Sequence, residues 1–160
     1  MRNKLGMPEE QMEVLEKKLV QQKLETLDER FTFNCERLDF EYLKKLHEFL
    51  FCEFYYENDL GTRVMDETEE KTINKYLDEV VNICLIDFKD IDSILEIILE
   101  IWNLQPFIVG NTRTLLAYLK VLNCCFLLDL NIDIDMNIES NPNVFNKEIF
   151  VNQERLTKIK

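Results

Sequence analysis

Residues 111–128 read NTRTLLAYLKVLNCCFLL, and between Arg113 and Asp129 the only charge is Lys120. A helix carrying Leu115, Leu116, Tyr118, Leu119, Val121, Leu122, Cys124, Cys125, Phe126, Leu127 and Leu128 has apolar side chains on every face. Such a surface has to be enclosed by other elements, so the stretch predicts a central core helix. Working outward, Asp90 to about Leu104 is apolar nearly all round. Its Asp92, Glu96 and Glu100 recur every four residues, which predicts a mostly buried helix with one narrow solvent-facing stripe. Before it, Ile73, Tyr76, Leu77, Val80, Val81, Cys84 and Leu85 follow a period of about 3.6 residues. The acidic DETEE run suits the N-terminus of that helix, near Asp66 or Glu67.

Asp39 is placed to cap a further helix to about Tyr55, with Tyr42, Leu43, Leu46, Leu50 and Phe54 on one face and Phe40, Phe49 and Phe51 widening it. Pro8, at a first-turn position before Glu9 and Glu10, opens an amphipathic helix to about Asp28 with Met12, Leu15, Leu19, Leu24 and Leu27 as its apolar residues. At the other end, NIDIDMNIESNPN (131–143) alternates like a strand, but its Asn, Asp and Pro content predicts an irregular loop. A short helix around 145–159 is expected to close the domain. The result is an all-α bundle of about six helices in a single domain spanning 1–160.

Composition agrees. In 160 residues there are only 3 Gly and 3 Pro, too few for β-rich folds with many turns or for a Gly-rich nucleotide loop. A formal charge of -12 disfavours binding to a nucleic-acid backbone. No apolar run reaches the roughly 18 residues needed to span a bilayer. MRNKLGMPEE lacks the basic-then-apolar order of a signal peptide, so a soluble cytoplasmic protein with no membrane partner is expected.

The five cysteines, Cys35, Cys52, Cys84, Cys124 and Cys125, include no C-x-x-C and read as reduced core residues; no metal site is expected. His47 is the only histidine and lies in the apolar pattern LKKLHEFLF, which fits a hydrogen-bonded, helix-packed imidazole. A multi-histidine metal centre is excluded.

One of the three glycines and one of the three prolines fall in a single loop, Trp102 to Thr114, that leads into the core helix. Gly110-Asn111-Thr112 reads as a helix cap, and the first amides of the helix with the fork of Arg113 suit an anion. Any Gly-Asn cap looks similar, so these features alone favour a purely structural reading.

The loop-helix string QPFIVGNTRTLL, however, resembles the Fic/Doc family signature H-P-F-x-D/E-G-N-G-R-x-x-R. Pro106, Phe107, Gly110, Asn111 and Arg113 stand in register. KLHEFLFCEFYYENDLGTR is similar to a second family stretch, I-H-x-x-L-F-x-x-x-Y-x-W-A-G-x-x-R, through His47, Leu50, Phe51, Tyr55, Gly61 and Arg63. NKLGMPEEQMEVLEKKL resembles the usual lead-in to Fic domains, so the likeness covers nearly the whole chain.

That resemblance implies a Fic-like helical bundle and transfer of AMP from ATP to a protein hydroxyl. It also implies nucleotide contacts at Phe107, Gly110, Asn111, Thr112 and Arg113. The departures bear on activity. The family's general-base His is Gln105, an amide that does not titrate near neutral pH, which removes roughly 10²- to 10⁴-fold of rate. The acid that holds Mg²⁺ is Val109, and the last Arg, which contacts the distal phosphates, is Leu116. Thr112 replaces a Gly but keeps its amide. VMDETEEK is too short and acidic for the β-hairpin flap that aligns target segments. The self-inhibitory pattern (Ser or Thr, three residues, Glu, then Gly or Asn) is approached only by Thr32 to Glu36, which Arg37 follows.

The implied reading is a catalytically impaired Fic-like protein that still binds ATP, another nucleotide or phosphate at residues 110–113 without Mg²⁺. Two alternatives are a non-catalytic interaction or regulatory module on the same bundle, and an enzyme using Gln105 to orient water or a hydroxyl.

Overall fold

The computed structural model describes residues 4–55, 61–86, 90–128 and 130. The loop expected at 131–143 and the closing helix at 145–159 lie outside the described residues. Those residues form six helices: α1 (Glu9–Glu25), α2 (Leu27–Arg30), α3 (Phe40–Phe51), α4 (Glu67–Cys84), α5 (Ile91–Leu104) and α6 (Asn111–Phe126). There is no strand among them, only one isolated antiparallel bridge between Thr62 and Phe107.

Three aspartates set helix starts. The carboxylates of Asp39, Asp66 and Asp90 accept the amides of Tyr42, Glu69 and Ser93, each three residues on, supplying acceptors that the first turn of a helix lacks. Pro8 is the residue just before α1 rather than within its first turn, and it offers no side-chain cap. The first helix also breaks sooner than its periodicity implies. At Thr26 the hydroxyl bonds back to the Gln22 carbonyl at 2.8 Å, and the chain restarts as the short α2.

Helix α6 is the centre. Eleven of its 16 residues are buried, and Leu115, Ala117, Tyr118, Leu119, Val121 and Leu122 have no exposed surface. It packs chiefly on α3, whose Leu43, Leu46, Leu50 and Phe51 are equally enclosed, and also on α5. The buried Tyr118 hydroxyl donates to the Leu38 carbonyl at 2.7 Å, so this polar atom deep in the layer is matched; burial raises its phenol pKa. The core helix stops being enclosed at its end. Cys124 is exposed, Leu127 is 82% exposed at φ +53, and the helix closes at Phe126 rather than Leu128.

Helix α5 departs from expectation. It packs on α4 and α6 and buries only Ile94, Leu95, Ile98 and Ile101, while Ile91, Ile97, Leu99 and Trp102 are half-buried. Asp92, Glu96 and Glu100 do face solvent. The cysteine reading is corrected as well: Cys35 and Cys125 are joined by a disulfide, Cys124 is exposed, and Cys84 alone is a buried thiol. No helix among the described residues is long and apolar enough to cross a membrane.

Candidate functional site

The loop between α5 and α6 is built by backbone geometry and one asparagine. Gln105 ends α5 at φ +47, a left-handed position that turns the chain out of the helix. Arg63 N–H then donates to the Pro106 carbonyl (2.9 Å) and Ile108 N–H to the Gly61 carbonyl (3.2 Å), pairing the loop with the segment that precedes α4. The Arg63 guanidinium also donates to the carbonyls of Leu104 and Gln105 and pairs with Glu69.

Asn111 does not cap α6 with its side chain, as the Gly-Asn-Thr pattern suggested. Its Oδ1 accepts from Phe107 N–H (2.9 Å), while its Nδ2 donates to the carbonyl of Phe107 (2.9 Å) and to Oε1 of Gln105 (3.0 Å). The residue staples the loop closed. Gly110 takes the cap position at φ +77, against the ring of Phe51. Thr114 N–H and its hydroxyl both donate to the Gly110 carbonyl, which fixes the helix start.

Phe107 is 2% exposed and turns into the core, stacked on the imidazole of His47 with centroids 4.2 Å apart and planes within 3°. His47 Nε2–H donates to the Val109 carbonyl at 2.8 Å. The histidine is thus the packed, hydrogen-bonded imidazole its sequence context implied, and it ties α3 to the loop. Burial pushes its pKa down to about 4, a hydrogen bond to Val109 acting the other way.

A cleft of about 720 Å³ opens on the start of α6. Of the candidate residues, Gln105, Gly110, Asn111, Thr112 and Arg113 line it, with Val109, whereas Phe107 does not. The opposite wall is Glu9, Met12, Glu13, Glu16 and Lys17 of α1, with Tyr55 and Trp102 between. Trp102 Nε1–H donates to Thr112 Oγ1 at 2.8 Å, which sets the indole against the helix start.

The charge inside the cleft was not visible in the motif. Arg113 is 4% exposed, its guanidinium pairs with Glu16, and it lies 4.6 Å over the ring of Phe51. Glu16 is 5% exposed and also accepts from the Tyr55 hydroxyl. Sequence reasoning missed Glu16, although a signal exists: Met12, Glu16, Val20, Lys23, Leu24 and Leu27 form the buried stripe of the first helical segment, and Glu16 and Lys23 are its two polar interruptions.

The arrangement offers little for chemistry. Gln105 has both ends of its amide engaged, Nε2 on the Trp102 carbonyl (2.8 Å) and Oε1 on Asn111. The Val109 side chain gives a metal no oxygen, so the loop does not fit the Mg²⁺ of the resemblance. Leu116 is 2% exposed in the core and does not line the cleft. Compared with protein-family models and with curated proteins, the chain matches none.

Proposed function

We propose that this chain is a Fic-like protein whose cleft at the start of α6 binds a nucleotide or phosphate and no longer transfers AMP. The observation that supports the reading best is the coincidence of the cleft with the loop: residues 109–113 line its floor where the first-turn amides and positive dipole end of a long, rigid helix favour negative charge. Arg113 adds a cation whose charge Glu16 already balances, and Glu9 and Glu13 oppose an anion from the facing wall, so affinity is weak. Phe107 belongs to the loop's anchor, leaving Gly110, Asn111, Thr112 and Arg113 as the contact set.

Catalysis fails on this reading for want of a base and a metal ligand. Gln105 cannot take the proton of an attacking hydroxyl, and its amide is held by two protein partners, which also disfavours the use of that side chain to orient water.

A second reading, a non-catalytic interaction module, is favoured by the Glu16–Arg113 pair, which spends the motif's cation on holding α1 to α6. A thermal-shift series with AMP, ADP and ATP, each with and without Mg²⁺, separates the two. Stabilisation that is independent of Mg²⁺ supports the first reading; no stabilisation by any of the three supports the second.

A further inference from the structure

We propose that the Cys35–Cys125 disulfide is a redox latch that holds the loop between α2 and α3 against the C-terminal turn of α6. The bond joins residues 90 apart in sequence. Its Cys35 end is exposed and its Cys125 end half-buried, so a thiol in solution can reach it.

The loop is attached on both sides of Cys35 and held weakly at it. Before it, Phe31 packs on Tyr42 and Phe49, and the Thr32 carbonyl accepts from the Tyr42 hydroxyl at 3.3 Å. After it, the buried Leu38 takes the Tyr118 bond. Residues 34–37 are all exposed, and apart from the 3.3 Å bond from Asn34 N–H to the Tyr42 hydroxyl, the hydrogen bonds seen there are local: Glu36 N–H to Asn34 Oδ1, Arg37 N–H to the Asn34 carbonyl and Arg37 Nε to Asp39. The disulfide is the covalent tie at this tip. A small cleft of about 330 Å³ is lined by Phe33 of the loop, two residues before Cys35, and by Lys120, Asn123 and Cys124 of α6.

The chemistry is thiol–disulfide exchange with a small monothiol such as glutathione. A thiolate attacks the accessible Cys35 sulfur, the S–S bond breaks, and Cys125 leaves as a thiolate that takes up a proton. A second monothiol attacks the mixed disulfide, releasing the Cys35 thiol and the oxidised dimer, so one protein disulfide and two thiols become two protein thiols and one small disulfide. Re-oxidation by the small disulfide reverses both steps. Arg113 lies twelve residues before Cys125, about 18 Å along α6, so the latch acts on the far end of the helix from the anion cleft.

The test uses the full chain equilibrated in oxidising or reducing glutathione buffer. After alkylation under denaturing conditions, mass mapping should find Cys52, Cys84 and Cys124 modified in the oxidised sample and all five cysteines in the reduced one. Hydrogen exchange at residues 31–38 and 122–126 should speed up on reduction, and the melting temperature should fall by about 10 °C. Cys35→Ser should show the reduced pattern in either buffer, and Cys124→Ser should keep the latch. Alkylation of all five cysteines in oxidising buffer, pairing of Cys35 with Cys124, or equal exchange in the two wild-type samples would overturn the proposal.

Discussion

Gly110→Ala tests the construction of the loop at its tightest point. A Cβ at this position would fall 2.3 Å from Cζ and 2.4 Å from Cε2 of Phe51, at a backbone φ of +77 that L-residues avoid. Phe51 has little freedom to yield: it is fully buried, carries the Arg113 guanidinium over its ring, and sits 4.9 Å from His47. The left-handed φ costs about 1–2 kcal/mol and the overpacking about 1–3 kcal/mol, so the variant should lose about 2–5 kcal/mol. For a chain of this size that is a drop in melting temperature of roughly 5–15 °C. Urea and thermal unfolding at neutral pH read it out. Gly6→Ala is the control, because Gly6 shares a positive φ (+62) but has nothing within 4 Å, so only the conformational part should appear. In a Phe51→Ala background, Gly110→Ala should likewise cost only that part. A wild-type melting temperature, or an equal cost in both backgrounds, would refute the packing argument.

Three further outcomes follow from the same geometry. His47 has a folded pKa of about 4 against 6.5 for the free side chain, so between those values the unfolded chain binds more protons and stability should fall as pH drops from 6.5 towards 4, by about 3 kcal/mol in total; urea titrations of wild type and His47→Asn across this range should differ in slope. Glu16→Gln removes the carboxylate that balances the buried Arg113 and should cost about 3–5 kcal/mol by the same unfolding assay, with a wild-type midpoint speaking against the pair. With α-labelled ATP and a host lysate, neither wild type nor Gln105→His should label any protein, since base, metal and distal-phosphate contacts act as a unit; robust labelling by wild type, abolished in Gln105→Ala, would restore an active enzyme.

The helices were legible because their signals are local. Asp39, Asp66 and Asp90 each precede an apolar period, and each proves to be a side-chain cap. The all-round apolarity of residues 115–122 identified the core helix for the same reason. Extent of burial was less legible: the apolar character of α5 says nothing about how many neighbours it has, and packed on α4 and α6 its Ile97 and Leu99 remain half-buried. The candidate loop was visible as a composition of rare Gly and Pro, but its internal wiring was not. Asn111 reads equally as cap or staple, and only the turn at Gln105 brings Phe107 within its reach. Glu16 and Arg113 are 97 residues apart, and Cys35 and Cys125 are 90 apart. Pairings at that distance come from how helices pack, and no spacing in the chain encodes them.

The central claim is that the start of α6 holds a phosphate. Titration of the isotope-labelled chain with AMP, followed through the backbone amide resonances of Gly110, Asn111, Thr112 and Arg113, tests it most directly. The account predicts saturable shifts of these amides, the same with and without Mg²⁺, while amides along α4 stay in place. Unmoved resonances at residues 110–113, with saturable shifts elsewhere or nowhere, would contradict it.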